Sequence, residues 1–334
     1  MSLNREKIMH AFLSAQLPQG YRVESLAGDA SFRRYHRIYA DDVTYLLMDA
    51  PPDKESVAEF IQVADIMSQK INVPDIIAKD IEQGFLLLQD FGSVEFAQAI
   101  LEDGRKDDLY QDALTVLISL QSIPTQVGLP DYHADKLNQE MNLFSEWFLP
   151  YVGVRLSTAQ ESQWYDLKSV LIAQISTHPK VIVHRDYHSR NLMVDKGSKN
   201  LGVIDFQDAV IGSDVYDLAS LIRDAYIRES DDWVYEQIKQ FYHLKNPNIS
   251  LDEFTKNVNV MSMQRHLKVL GIFIRLSKRD GKDRYLQDIP KVFSDLMHTA
   301  MRLSDENTAI KAFYDWLQAE VLPAYQRKFG NKTA

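Results

Sequence analysis

Residues 181–208 read VIVHRDYHSRNLMVDKGSKNLGVIDFQD, and no other stretch narrows the possible folds as much. Val181-Ile182-Val183 is an apolar run short enough for one buried strand, and it delivers the chain into a loop crowded with His184, Arg185, Asp186, His188 and Asn191. A second apolar run, Leu192-Met193-Val194, is followed by the turn-forming Asp195-Lys196-Gly197-Ser198 and by a third run, Leu201 to Ile204, which ends in Asp205-Phe206. The pattern predicts a hairpin with Asn191 at its entrance and Asp205 at its exit.

A carboxylate, an amide five positions later and a second carboxylate across a hairpin suit phosphoryl transfer from a nucleotide. One carboxylate orients and deprotonates the attacking hydroxyl, while the other and the amide oxygen hold Mg²⁺ against the phosphates. A charged surface hairpin is the competing explanation, and it leaves these oxygen ligands at strand ends, in this order, unaccounted for. His184-Arg185-Asp186-x4-Asn191 followed by Asp205-Phe206 has the form of the kinase catalytic loop and metal-binding strand.

His184-x-Asp186-x-His188-x2-Asn191 with Ile204-Asp205-Phe206 downstream resembles the aminoglycoside phosphotransferase family of kinase-fold small-molecule kinases. Gly28 to Tyr35, Leu47-Met48-Asp49-Ala50-Pro51-Pro52, His184 to Met193 and Asp205 to Ala209 resemble one branch of it, the cell-wall amino-sugar kinases that phosphorylate the anomeric hydroxyl of N-acetylmuramate and N-acetylglucosamine. The resemblance runs from about residue 25 into the C-terminal helices. It implies a bilobal α+β fold like that of protein kinases: a small N-terminal antiparallel sheet with one main helix, residues 1–90, binds nucleotide, and a larger, mostly helical lobe, residues 91–334, carries catalysis and substrate. It implies ATP and Mg²⁺ as cofactors, Asp186 and His188 as catalytic residues, Asn191 and Asp205 as metal ligands, and Asp208 and Arg265 as candidate substrate contacts. Other alcohols, such as aminoglycosides, choline or ethanolamine, remain alternative acceptors, as does a non-catalytic nucleotide-binding chain.

A chain of 334 residues with 45% hydrophobic and 25% charged residues has the composition of a globular protein with one large or two packed lobes. The net charge of -10 argues against a general nucleic-acid or anionic-membrane binder, so ATP must be held by local dipoles, cations and metal. The absence of cysteine excludes disulfides and thiolate metal sites. Residues 8–17 read as an amphipathic helix and not a signal peptide, and no run reaches membrane-span length. A monomeric cytoplasmic enzyme acting on a small sugar is the resulting expectation.

Strands are expected at Arg22 to Leu26, Tyr35 to Tyr39, Val43 to Met48, Val73 to Ala78 and Gly84 to Leu88, with a helix from Lys54 to Lys70. Ser31, Arg33 and Arg34 in the first hairpin are candidate phosphate contacts. The family's third strand normally carries a lysine for the phosphates, but Met48 stands there, leaving Arg33, Arg34 and Lys54 as replacements. Glu55 and Glu59, without that lysine as partner, read as surface charges. Asp90-Phe91-Gly92 spells a kinase metal motif but precedes the catalytic loop; Leu88, Gln89 and Asp90 are instead expected to line adenine through their backbone. Further on, Asp214 reads as a helix N-cap and Arg223 and Asp224 as a solvated face, while the resemblance implies that Asp217 ties the catalytic loop in place. The helical pattern continues over 250–277 and as two helices over 289–329.

Overall fold

The computed structural model describes residues 3–17, 19–26, 33–102, 104–194 and 201–330. The turn expected at Asp195 to Ser198 and the Gly28–Ser31 segment lie outside the described residues. The chain forms two compact units, residues 1–123 with 190–209 and residues 124–189 with 210–334. This division does not coincide with the boundary at residue 90 expected from sequence. The Val203 N–H donates to Asn72 O (2.8 Å) and the Val194 N–H to Val94 O (2.9 Å), so the hairpin after the 184–189 loop is built onto the first unit.

The first unit contains an antiparallel sheet of β1 (Arg22–Ser25), β2 (Arg34–Ala40), β3 (Val43–Asp49), β4 (Ile76–Asp80) and β5 (Phe85–Gln89) in the order β1-β2-β3-β5-β4. β5 is apolar without alternation, Phe85-Leu86-Leu87-Leu88, because it lies inside the sheet between β3 and β4. The helix Leu3–Gln16 packs Met9, Phe12 and Leu13 against Ile38, Leu47, Phe85 and Leu87. Each such side chain contributes about 1.5–3 kcal/mol when fully buried. Arg5 pins the same helix: its guanidinium donates to Asp49 Oδ1 (Nη2, 2.6 Å) and lies 3.9 Å from the centre of the Phe85 ring.

Two boundaries moved from expectation for reasons of proline chemistry. β4 begins at Ile76, past Pro74, which has no N–H for a ladder. The helix expected from Lys54 runs only over Ala58–Met67, because the Lys54 and Glu55 N–H groups fold back onto Pro51 O at 2.8 and 3.0 Å.

β7 (Leu192–Val194) and β8 (Leu201–Val203) form the expected antiparallel hairpin. In the second unit β6 (Lys180–Val183) pairs with β9 (Val210–Ser213), a strand where the sequence suggested the start of a helix. Gly212 makes that pairing possible, since a Cβ there would lie 3.1 Å from Val183 Cγ2 and 3.3 Å from Tyr132 Cβ. The helix starts instead at Tyr216 (Tyr216–Ile222), and Asp214 is not its cap: it pairs with Lys245 at 3.3 Å.

The second unit is otherwise helical. Leu251–Asp280 is its longest helix, capped by Ser250, whose Oγ accepts the Glu253 N–H (3.2 Å), and buried along most of its length. Gly271 lets it approach the helix Ala134–Leu143 closely; a Cβ would lie 2.5 Å from Leu143 Cβ. The C-terminal region is three helices where two were expected, Ile289–Leu303, Thr308–Trp316 and Leu322–Phe329, the last two joined by a π-turn at Leu317–Val321. No helix among the described residues is long and apolar enough to cross a membrane.

Candidate active site

The loop that follows β6 is held at both ends by buried carboxylates. Asp217 accepts the His184 N–H on Oδ2 (2.7 Å) and the Arg185 N–H on Oδ1 (3.0 Å). Asp224 accepts the Ser189 N–H on Oδ2 (2.9 Å) and the Tyr226 N–H on Oδ1 (2.8 Å). The expectation that Asp217 braces this loop is thus met by contact. Arg223 and Asp224 do not form a solvated face: Asp224 is spent on the loop, and Arg223 is buried with its Nη2 donating to Asn259 Oδ1 (2.9 Å). Burial pushes the Asp217 carboxyl above its usual value, against the opposing pull of His184 and the two N–H donors.

Asp186 sits between these anchors, part-buried. Its N–H meets His184 Nδ1 at 3.3 Å and its carbonyl accepts the His188 N–H at 3.0 Å. Burial pushes its carboxyl up, but the charges of Lys268, His188, Arg265 and Arg185, in that order, outweigh burial and hold it below the usual carboxylate range. The group is therefore a carboxylate at neutral pH. The His188 ring stands edge-on to Tyr226 (5.4 Å), and its buried Nδ1 has no hydrogen-bond partner among the described residues. Arg265 is buried; its Nη1 donates to Arg185 O (3.0 Å) and its guanidinium lies 4.7 Å from the centre of the Tyr216 ring.

The other predicted residues lie in the first unit. Leu192 faces Val203 in the β7–β8 register, and the Ile204 N–H donates to Asn191 O (3.0 Å), so Asn191 and Asp205 are one register step apart at the open end of the hairpin. Asp205 has φ 62°, and Phe206 behind it is fully buried, its ring 4.7 Å from that of Phe60. Gln207 Nε2 donates to Asp205 Oδ1 at 3.0 Å and lies 3.5 Å from Asp208 Oδ2, on an exposed residue. Among described non-glycine residues with positive φ, Asp41 is in the β2–β3 turn and Asn246 caps a helix; the other two are Arg185 and Asp205. Such backbone costs about 1–3 kcal/mol and persists only where surroundings over-determine it.

Met48 is fully buried, paired across the sheet with Tyr35 and Leu86, so no cation occupies the lysine's place in β3. Arg33 instead reaches Glu55 (Nε–Oε2 3.6 Å); Glu55 is a paired group and not the surface charge the sequence suggested. Burial pushes the Tyr35 phenol up to about 12, with Arg33 opposing and the charges of Asp205 and Glu55 adding to the rise. Arg34 is half exposed at 3.8 Å from Asp49, Lys54 is exposed beside Asp53, and Ser31 lies outside the described residues.

Leu88 is buried in the sheet and the Gln89 N–H donates to Asp75 O (2.8 Å), which commits that donor to the strand edge. The Asp90 carboxylate is bound by Arg37 through Nε (2.6 Å) and Nη2 (3.1 Å) and accepts the Gly92 N–H (2.9 Å). Phe91 packs on the β7–β8 hairpin at Gly202, where a Cβ would lie 2.6 Å from its ring Cε2. Asp90-Phe91-Gly92 is thus a structural motif.

Sequence reading missed Glu140, buried and paired with Arg185 at 2.8 Å, and Lys268, buried 3.4 Å from Glu140. The signal available was Gln264-Arg265-His266 and Lys268 set among apolar residues in the middle of a helix.

Residues 22–250 match the phosphotransferase enzyme family, APH, and the chain belongs to that family. Its relatives include an N-acetylmuramate/N-acetylglucosamine kinase of Pseudomonas aeruginosa, 38% identical over 275 residues that cover 80% of each chain. A protein of the same description from Neisseria meningitidis is 38% identical over 290 residues, covering 84% of this chain and 86% of its own. Among solved structures, a choline/ethanolamine kinase family protein from Mesorhizobium loti shares the fold with a TM-score of 0.63 at 13% identity, over 92% of this chain and 99% of that one. The expected α+β, kinase-like fold is the one observed.

Proposed function

We propose that this chain is an ATP- and Mg²⁺-dependent kinase of N-acetylmuramate and N-acetylglucosamine that phosphorylates their anomeric hydroxyl. The observation that carries the kinase reading is Asp186: an ionised, part-buried carboxylate on a loop tied down at His184, Arg185 and Ser189. A general base must be charged, fixed and within reach of one hydroxyl, and this group has the first two properties built in. The acceptor is inferred from the relatives in Pseudomonas and Neisseria, which match over four-fifths of the chain.

In this reading Asp186 orients the anomeric hydroxyl and takes its proton as the oxygen attacks the terminal phosphorus of ATP and the bond from that phosphorus to ADP breaks. That hydroxyl is more acidic than an ordinary alcohol because the ring oxygen withdraws charge, so one carboxylate suffices as base. His188, with its Nδ1 directed at no protein group among the described residues, orients the acceptor. The Asn191 side-chain oxygen and the Asp205 carboxylate, one register step apart, form a hard-oxygen donor set of the kind Mg²⁺ takes. Asn191 and Asp205 would hold Mg²⁺, which would supply charge neutralisation to the phosphates. Arg33, steadied by Glu55, supplies the phosphate cation that Met48 cannot. Arg265, buried on the Arg185 carbonyl, is read as a brace of the loop.

ADP release with N-acetylglucosamine, N-acetylmuramate, kanamycin, choline and ethanolamine tests the reading. Release with the two N-acetyl sugars is expected. Release with only the others rejects the acceptor, and release with none rejects the kinase.

A further inference from the structure

Glu140, on the helix Ala134–Leu143, is a carboxylate buried among donors. Its Oε1 accepts Arg185 Nη2 at 2.8 Å, while its Oε2 faces Lys268 Nζ and Gln264 Nε2, each at 3.4 Å, and accepts the Tyr132 hydroxyl. Lys268 is buried too, and its Nζ donates to the Tyr216 hydroxyl at 3.0 Å. Tyr132 and Tyr216 meet edge to face at 5.3 Å and wall the cluster. Buried ion networks often do no better than apolar packing of the same volume, so stability alone is a weak reason for one.

Its position supplies a better reason. Arg185, with φ 77°, immediately precedes Asp186 and is held at its N–H by Asp217, at its carbonyl by Arg265 and at its guanidinium by Glu140. From the helix Leu251–Asp280, Arg265 donates to the Arg185 carbonyl and Lys268 lies 3.4 Å from Glu140. Asp217, from the helix Tyr216–Ile222, binds that loop's backbone, and Glu140 holds both Arg185 and Lys268.

We propose that Glu140 is a positioning residue for the reaction: its Oε1 locks Arg185, and with it the backbone at Asp186, while Lys268 and the Tyr132 hydroxyl fix its Oε2. This rests on the reading of Asp186 as the base. Glu140 thereby sets where the base points. It touches no substrate and acts through the loop.

The test uses the full chain. Glu140→Asp keeps the charge but withdraws it from Arg185, and kcat for ADP release with N-acetylglucosamine is expected to fall about tenfold with KM for ATP little changed. Amide exchange at residues 184–186, measured with no substrate present, is expected to be faster in Glu140→Asp than in wild type. Unchanged exchange or unchanged kcat in the folded variant overturns the proposal. Wild-type ADP release is measured alongside: its absence rejects the proposed function, whereas the exchange judges Glu140 with no acceptor present.

Discussion

Asp217→Asn isolates the support of the catalytic loop from its chemistry. The carboxylate accepts two backbone N–H groups, at 2.7 and 3.0 Å, from a fully buried position. Asparagine keeps one acceptor oxygen but turns an NH₂ toward the other N–H, so one charge-assisted bond becomes a donor facing a donor. Hydrogen bonds to charged groups are worth about 1.5–3 kcal/mol, and an unsatisfied buried donor adds its own penalty, which places the loss at about 2–4 kcal/mol. For a unit of this size each kcal/mol moves the melting temperature by about 2–4 °C, so calorimetry should show a drop of about 4 °C or more. Activity should fall with it, since residues 184 and 185 lose their anchor just ahead of Asp186. Asp231→Asn is the control: its bridge to Arg302, at 3.1 Å between half-exposed groups, is worth about 1 kcal/mol or less. If Asp217→Asn melted and turned over like that control, the clamp described here would not be what fixes the loop.

Three further outcomes follow from the same geometry. With Asp205 as the proposed metal ligand, Asp205→Ala should abolish Mg-ATP turnover, while Asp90→Ala should keep the chemistry and lose the Arg37 pair and the Gly92 N–H bond, which a comparison of kcat and melting temperature resolves. Arg33→Ala should raise KM for ATP more than KM for sugar, with Arg34→Ala and Lys54→Ala weaker; equal effects on both substrates would place Arg33 away from the phosphates. The Glu140 carboxyl is held low: burial opposes this, but Lys268, the Tyr132 hydroxyl, Arg185 and Lys136 outweigh it. A carboxyl whose folded value is depressed stabilises the fold above its unfolded value of about 4.5 and loses that contribution as the pH falls toward the folded value. Wild-type melting temperature should therefore decline below about pH 4.5 more steeply than that of Glu140→Gln, and parallel curves would show that Glu140 is not stabilised as a charge.

The β7–β8 hairpin and the residues at its ends were legible because they sit at the ends of short apolar runs, where a period-two pattern and its turn residues mark both position and direction. β9 was not, since Val210-Ile211-Gly212-Ser213 owes its strand to pairing with β6, a partner distant in sequence, and Gly212 and Ser213 read locally as a helix start. Glu55 looked like a surface charge because its partner, Arg33, comes from the residue just before β2 and not from β3, where the lysine is missing. Asp224 and Glu140 were missed or misread for the same reason: a charged residue on a helix reads as solvent-facing, and only the tertiary arrangement shows the backbone N–H or the cation it serves. Lys268 differs, because the middle of its helix is buried nearly all round and a lysine there has no solvent face to occupy.

The site of transfer tests the central claim most directly. N-acetylglucosamine, N-acetylmuramate and the methyl glycosides of both are offered with Mg-ATP, and the products are read by ³¹P and ¹H NMR. Both free sugars should be phosphorylated, losing their reducing-end reaction and gaining phosphorus coupling at the anomeric proton, while the methyl glycosides, which keep every other hydroxyl, should stay unchanged. Phosphorylation of a methyl glycoside would contradict the account, because the oxygen held for Asp186 would then be another one.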